Sequence, residues 1–417
     1  MIAFYMQFGG KALDFDPDSL NLGNPGLGGT QYLFLLTVCR LNEIYGFGTA
    51  VLYADREFGR SSPKVPIKLV SDLRAATSLA ERESVDYLVV NGRTLCNANK
   101  NVIRTSPVPI VAWAHNTVSP SAERIASSFA TVAGVVCVSE AQWKGMRDSR
   151  CYDKCRHINN GIPNSALSRE PLTDYSRPEV VYVGSLYPQK GVHNLLRIWR
   201  RVVSEFPDAR LKIIGGAQIW DGDAKVGRMG VADPYYEVIL ERSLSRLPDR
   251  GSVVFLGPRS AQEIDRHVAH ARVAVANPSR YVRDETFCMA ALELQARGIP
   301  VVSRYRRDGL STSVDNGISG HLAVSDRAIA DRLLELLRDP GAARTLGAAA
   351  LEHSRHFVID RELHKWLDLV DCRPTGRAAR RGFAISTNAV LLAHDWILKL
   401  WFHLTSGKLW SRLSKYR

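Results

Sequence analysis

Nowhere in these 417 residues does an uncharged apolar run reach the ~18 positions that a membrane-spanning helix requires. The opening Met1-Ile2-Ala3-Phe4-Tyr5-Met6 has neither a basic flank nor a long apolar core, so it reads as a short strand and not as a secretory leader. Paired cysteine spacing is also missing. The seven cysteines (Cys39, Cys96, Cys137, Cys151, Cys155, Cys288, Cys372) are odd in number, which argues against a disulfide scaffold and suits a reducing cytosol. Cys151-x3-Cys155 with His157 nearby is the nearest thing to a metal-ligand pattern, but no second ligand pair follows, and no metal is expected. Acidic residues are the scarcer sign, 42 against 55 basic, for a net charge of +13. Residues 373–417 hold nine basic residues and one acid, a net of +8.

What is present fits two cores better than one, because single hydrophobic cores stop growing well before this length. Short apolar runs at 2–6, 49–53, 87–91, 110–115 and 134–139 alternate with helical periodicity, including 31–44. A polar stretch at 164–178 reads as a linker. The alternation then restarts at 180–183, 211–214, 253–256, 273–276 and 300–303, with helices expected over 326–338 and 341–356. Such alternation predicts two successive parallel sheets flanked by helices, an α/β protein whose sites lie at the carboxyl ends of strands.

Chemistry concentrates in a few segments. Residues 277–303 carry Glu285 and Glu293 eight positions apart, with the apolar run Thr286-Phe287-Cys288-Met289-Ala290-Ala291-Leu292 between them. The pattern predicts strand, loop, helix, glycine stop and strand. Glu285 then falls in the loop or first turn, and Glu293 about two turns along the helix. A helix start after a parallel strand offers N–H groups to phosphate, and two carboxylates beside it can accept hydrogen bonds from sugar hydroxyls. The plainer reading is a charge at a helix start and a solvated face. Lys190 lies in the turn Gly184-Ser185-Leu186-Tyr187-Pro188-Gln189-Lys190-Gly191, after a strand and before a helix, where an ammonium can reach a diphosphate; otherwise it is a solvated turn lysine. The cluster Gly26-Leu27-Gly28-Gly29-Thr30 lets backbone N–H groups approach phosphate or sugar oxygens, or is simply a flexible loop. His115 ends the run Trp113-Ala114-His115-Asn116. Taken alone, such a histidine is more often a satisfied core group. Ser139 and Glu140 read first as a helix cap and second as a ligand contact.

Together these segments resemble the family 4 glycosyltransferases, retaining enzymes of the GT-B fold. The 277–303 segment resembles that family's E-x7-E block, the Lys190 turn its glycine-lysine turn, and Gly28-Gly29 its amino-terminal glycine loop. Asn160-Gly161, Phe255-Leu256-Gly257 and the run from Asn316-Gly317 to Leu322 follow in family order. The resemblance covers about residues 1–370. Three departures stand out: a longer loop, with five residues between Ser279 and Glu285; Cys288 at a family glycine; and Ser185 at a family arginine. Arg259, Arg280 and Arg283 are candidates to replace that arginine.

The resemblance implies two Rossmann-like domains facing a cleft. An acceptor domain spans 1–165, a donor domain 166–355, and a closing segment with the basic tail 356–417. It implies transfer of a hexose-type sugar from a UDP- or GDP-linked donor to a hydroxyl acceptor, without metal or cofactor. His115, Lys190 and Glu285 would be catalytic. Gly28, Gly29, Thr30, Gly184, Ser185, Phe287, Cys288, Met289, Ala290 and Glu293 would bind the donor, with Glu293 on the ribose. The tail mixes Trp396, Trp401, Phe402 and Trp410 with basic residues. That composition suits an interfacial helix on an anionic membrane, and equally a helix packed on the first domain. The acceptor expected is a glycan or lipid-linked intermediate of cell-surface polysaccharide synthesis, and the place is the cytoplasm or the inner face of its membrane. Nucleic acid is not expected, because no binding fold accompanies the charge. The alternative is a degenerate relative that binds nucleotide sugar or a partner without turnover, and Ser185 favours it. An epimerase or phosphorylase on the same fold is argued against by the E-x7-E block and Lys190.

Overall fold

The computed structural model describes residues 1–9, 16–57, 62–217, 225–280, 285–306 and 308–369. The tail at 373–417, and with it the membrane expectation, lies outside the described residues, as does Arg283.

The chain divides into two compact units. The described part of the first comprises 1–165 with 285–287 and 357–369; the second comprises most of the stretch from 166 to 356. In the first unit the strands are β1 (Ile2–Met6), β2 (Ala50–Ala54), β3 (Ile67–Leu69), β4 (Tyr87–Asn91), β5 (Ile110–Ala114), β6 (Val132–Cys137) and β7 (Cys155–His157). The helices are α1 (Gly29–Tyr45), α2 (Leu73–Arg82), α3 (Lys100–Arg104), α4 (Pro120–Ser128) and α5 (Glu140–Gly145). The sheet is parallel throughout, in the order β3-β2-β1-β4-β5-β6-β7. β1, β2 and β5 are buried at every position, as strands covered by helices on both faces must be.

In the second unit the strands are β8 (Glu179–Val183), β9 (Arg210–Ile214), β10 (Val253–Gly257), β11 (Val273–Val275), β12 (Val301–Arg304) and β13 (Gly320–Ala323). The helices are α6 (Val192–Glu205), α7 (Pro234–Leu244), α8 (Ala261–Val268), α9 (Met289–Gln295), α10 (Leu310–Ser313), α11 (Asp326–Arg338) and α12 (Pro340–Ser354). The order β10-β9-β8-β11-β12-β13 is again parallel. From β8 the chain builds outward to β9 and β10, then returns to β11 and builds the other way. The switch point therefore falls between β8 and β11, where ligands bind in open sheets of this kind.

The expected linker at 164–178 is a correction. Its later half is built into the second unit's core. Tyr175 is fully buried and donates its hydroxyl hydrogen to the Gly298 carbonyl, and Thr173 Oγ1 donates to the Ala271 carbonyl at 2.7 Å. Polar composition concealed one well-placed aromatic. The segment after α12 breaks into short turns, Arg355–Phe357 and Ile359–Arg361, and a helix at His364–Asp368. Within the first unit, Arg40 grips Asp360 with two bonds of 2.8 Å, and the Tyr87 hydroxyl donates to the Trp366 carbonyl.

Candidate functional site

The first unit's carboxyl edge gathers around His115. An aromatic column leads to it: Phe4 lies 5.5 Å from Trp366, Trp366 4.8 Å from Trp113, and Trp113 4.4 Å from the His115 ring, all between centroids. Phe34, one turn along α1 from Thr30, stands 5.8 Å from the same ring. Burial pushes the imidazole pKa down to about 3, so the ring is neutral at physiological pH. Its Nε2 has no hydrogen-bond partner among the described residues, and neither have Trp113 Nε1 and Gln31 Oε1. Buried polar atoms left unpaired are costly, so this edge is suited to receive uncharged hydrogen-bonding groups such as hydroxyls.

Gly28 and Gly29 sit where expected, at the cap and first position of α1, and no side chain caps that helix start. The loop before it is folded by Asn24, whose Oδ1 accepts from Gly26 N at 3.0 Å and Leu27 N at 2.7 Å. Ser139 caps α5, accepting from Gln142 N at 3.0 Å. Its hydroxyl also donates to the Thr286 carbonyl at 2.7 Å, and the Thr286 hydroxyl donates to the His115 carbonyl at 2.7 Å. Glu285, Thr286 and Phe287 are buried, and this short segment belongs to the first unit. Asn24, Thr286 and Gln142 were not flagged from sequence. Gln142 Nε2 donates to the Ala114 carbonyl at 2.9 Å and so fixes the end of β5. Glu140 is half-exposed and bound to Lys144 at 2.9 Å, one helical turn on.

The second unit's carboxyl edge is centred on its switch point. Gly184 N donates to the Ile214 carbonyl at 3.0 Å, and Ser185, largely buried, accepts at its carbonyl from the Tyr182 hydroxyl at 3.3 Å. Lys190 ends a single turn, Pro188–Lys190, and is half-buried. Gly191 follows in the left-handed region, φ 77°, and caps α6. A Cβ here would lie 2.5 Å from the Ser279 N and Cα, so only glycine lets the Lys190 turn close on the loop after β11. Asn277 also has positive φ, 38°.

Cys288 caps α9, and its N–H is committed to Ser313 Oγ at 3.0 Å. Met289 and Ala290 open the helix and are partly exposed. Glu293 lies on α9 as expected. Burial pushes its carboxyl pKa up, with Arg297 opposing. Of the candidates to replace an arginine at Ser185, Arg280 leans on Asp326 at 3.4 Å and Arg259 on Glu263 at 3.9 Å. Two further arginines, Arg304 and Arg306, are buried at the end of β12, and sequence reading passed over them. Thus His115, the Gly28 loop and Glu285 fall in the first unit, and Lys190, Gly184, Ser185, Cys288 and Glu293 in the second.

Residues 165–353 match the family of glycosyl transferases group 1. That match covers 189 of the 417 residues, somewhat less than half of the chain. Over 182 residues the chain is 34% identical to the D-inositol 3-phosphate glycosyltransferase of Corynebacterium aurimucosum, covering 43% of this chain and 39% of that one. Over 201 residues it is similar, at 32% identity, to the GDP-mannose-dependent alpha-(1-6)-phosphatidylinositol monomannoside mannosyltransferase of Mycolicibacterium smegmatis, covering 47% of each. The chain spans less than half the length of these curated relatives. Among solved structures, Anabaena HepE in complex with UDP superposes with a TM-score of 0.66 at 17% identity, covering 89% of this chain and 99% of that one. At that identity the likeness shows the fold alone. The fold class, two parallel α/β sheets of the GT-B glycosyltransferase type, is as the resemblance implied.

Proposed function

We propose that the chain is a retaining hexosyltransferase. It moves a sugar from a UDP- or GDP-linked donor to a hydroxyl of a glycan or lipid-linked acceptor in cell-surface polysaccharide synthesis. The observation that carries the reading is the second sheet's switch point, where the Lys190 turn closes through Gly191 onto Ser279 inside the group 1 segment. HepE bound to UDP supports a nucleotide donor, and the mannosyltransferase relative, named as GDP-mannose-dependent, keeps GDP open.

In this reading the bond between the anomeric carbon and the diphosphate oxygen breaks as the acceptor oxygen bonds to the same face of the sugar. The acceptor proton passes to the departing phosphate oxygen. Lys190 stabilises the charge that develops on the diphosphate, the kind of electrostatic contribution that is usually the largest in group transfer. Glu293 accepts from the ribose hydroxyls, and Glu285 and His115 orient the donor sugar. A neutral His115 suits that role, because its ring can exchange a hydrogen bond with a hydroxyl without adding charge. The basic tail is proposed to hold the protein at an anionic membrane surface; among the described residues no helix is long and apolar enough to cross one.

Ser185 favours a second reading, a nucleotide-sugar binder without turnover. Thermal unfolding with UDP-, GDP-, ADP- and dTDP-sugars, with and without EDTA, tests the proposal, because a ligand that binds the native state raises the midpoint. One nucleotide class should raise it whether or not EDTA is present. Turnover of that donor with a hydroxyl acceptor then separates transferase from binder. No shift with any of the four would overturn both readings.

A further inference from the structure

At the carboxyl edge of β12 the chain runs Ser303-Arg304-Tyr305-Arg306, and both arginines are buried although one carboxylate in the region is heavily shared. Asp326 accepts from Arg197 Nε at 2.9 Å, lies 3.4 Å from Arg280 Nε, and also pairs with Arg304. Three guanidiniums therefore stand on a single negative charge. Burial lowers the Arg304 pKa from its ordinary value; Asp326 opposes the shift and the neighbouring Arg280 and Arg306 add to it. Positive charge held this close is costly unless an anion joins it.

The register places this charge at the switch point. Val275 of β11 pairs with Tyr182 of β8. β11 ends at Val275 and β8 at Val183, so the Asn277 loop and the Gly184-Ser185 turn leave the sheet from neighbouring strands. Arg306 Nη2 donates to the Asn277 carbonyl at 3.0 Å, and Arg306 Nε lies 3.2 Å from Asp308. Arg304 Nε donates to the Pro278 carbonyl at 3.4 Å, one residue before Ser279, on which Gly191 closes. The two guanidiniums thus hold the loop that faces the Lys190 turn, one strand away from Ser185.

We propose that Arg306, with Arg304 behind it, supplies the positive charge that binds the donor diphosphate, in place of a cation at position 185. The proposal rests on the nucleotide-sugar reading above. A departing diphosphate carries more charge than one lysine offsets, and β12, on the far side of β11, is a strand from which further cations can act.

The test measures affinity for a nucleoside and for its diphosphate, using whichever base raises the wild-type midpoint. Arg306→Gln keeps an N–H donor for the Asn277 carbonyl and removes the charge. It should weaken the diphosphate about 30-fold or more and leave the nucleoside unchanged. Adding Ser185→Arg to Arg306→Gln should restore diphosphate affinity, because the charge returns at the same carboxyl edge, on the other side of the loop after β11. An unchanged diphosphate affinity in Arg306→Gln overturns the proposal. So does an equal loss for nucleoside and diphosphate that Ser185→Arg does not rescue, which would make Arg306 a prop for the loop. A wild type that binds neither ligand overturns instead the nucleotide-sugar reading, and this inference falls with it.

Discussion

The carboxyl edges of the two sheets have the same topology but opposite chemistry. In the first unit the edge is aromatic and, apart from Glu285 on the adjoining segment, uncharged: His115 is held neutral, and Trp113 and Gln31 keep polar atoms without partners among the described residues. In the second unit it is crowded with cations, Lys190 in a tight turn and Arg280, Arg304 and Arg306 around Asn277 and Asp326. Similar α/β units have thus been given different solvation problems. The neutral edge is relieved by hydroxyls and the cationic one by an anion.

Breaking the cationic edge should have the largest effect. Lys190→Ala is expected to lower turnover by on the order of 10²-fold or more, the usual cost of removing a group that stabilises developing charge. It should also weaken nucleoside diphosphate binding. His115→Asn, on the neutral edge, should lower turnover while leaving diphosphate affinity within about twofold, since it removes an interaction with the sugar only. Steady-state kinetics and calorimetric titration of both variants would decide. Equal losses of diphosphate affinity in the two would dissolve the distinction between the edges.

A second contrast lies in how acid acts on the neutral edge. The His115 pKa is about 3 folded, against 6.5 for an exposed histidine. Below 6.5 the unfolded chain takes up a proton that the folded protein refuses, so stability falls as the pH drops from about 6.5 toward 3. This one group should cost about 2 kcal/mol between pH 7 and pH 5. His193 in the second unit, lowered to about 4 by burial with Arg197 assisting, loses stability over the same range. Urea titrations at the two pH values should show a flatter dependence in His115→Phe than in wild type. An unaltered slope would mean that the ring is accessible to protons in the folded protein.

Regular elements were readable where pattern and burial coincide. The apolar run at 87–91 and the helical run at 326–338 appear as β4 and α11 with unchanged limits, because both carry strong, uninterrupted signals. β3 and β7 were missed because three residues at a sheet's margins carry almost no period. β13, Gly320–Ala323, was read as part of a turn because the glycines before it dominate the local pattern. Within the candidate site, the turn was legible where backbone chemistry fixes the residue, as at Gly191 beside Lys190. Arg304 and Arg306 were not, since an arginine-rich run after a strand looks like solvated surface. What makes Arg304 a buried residue is Asp326, 22 positions away and brought close only by the sheet. Thr286 escaped notice for a similar reason: its bond to the His115 carbonyl spans 171 positions.

The smallest expected effect is also the sharpest test of whether the first unit's edge is neutral in function and not merely in composition. Glu140 directly follows Ser139 and was a candidate ligand contact, yet it is half-exposed and spends its charge on Lys144 at 2.9 Å. Exposed pairs of this spacing contribute no more than about 0.5 kcal/mol. The cap that orders this corner is Ser139, which holds Gln142 N and the Thr286 carbonyl whether or not its neighbour is charged. Glu140→Ala should therefore leave donor KM and turnover unchanged and shift stability by less than about 0.5 kcal/mol, with that small loss vanishing at high salt. A tenfold rise in donor or acceptor KM would add a second working carboxylate to Glu285 on the first unit's edge, and the contrast between the two edges would have to be redrawn around the pair.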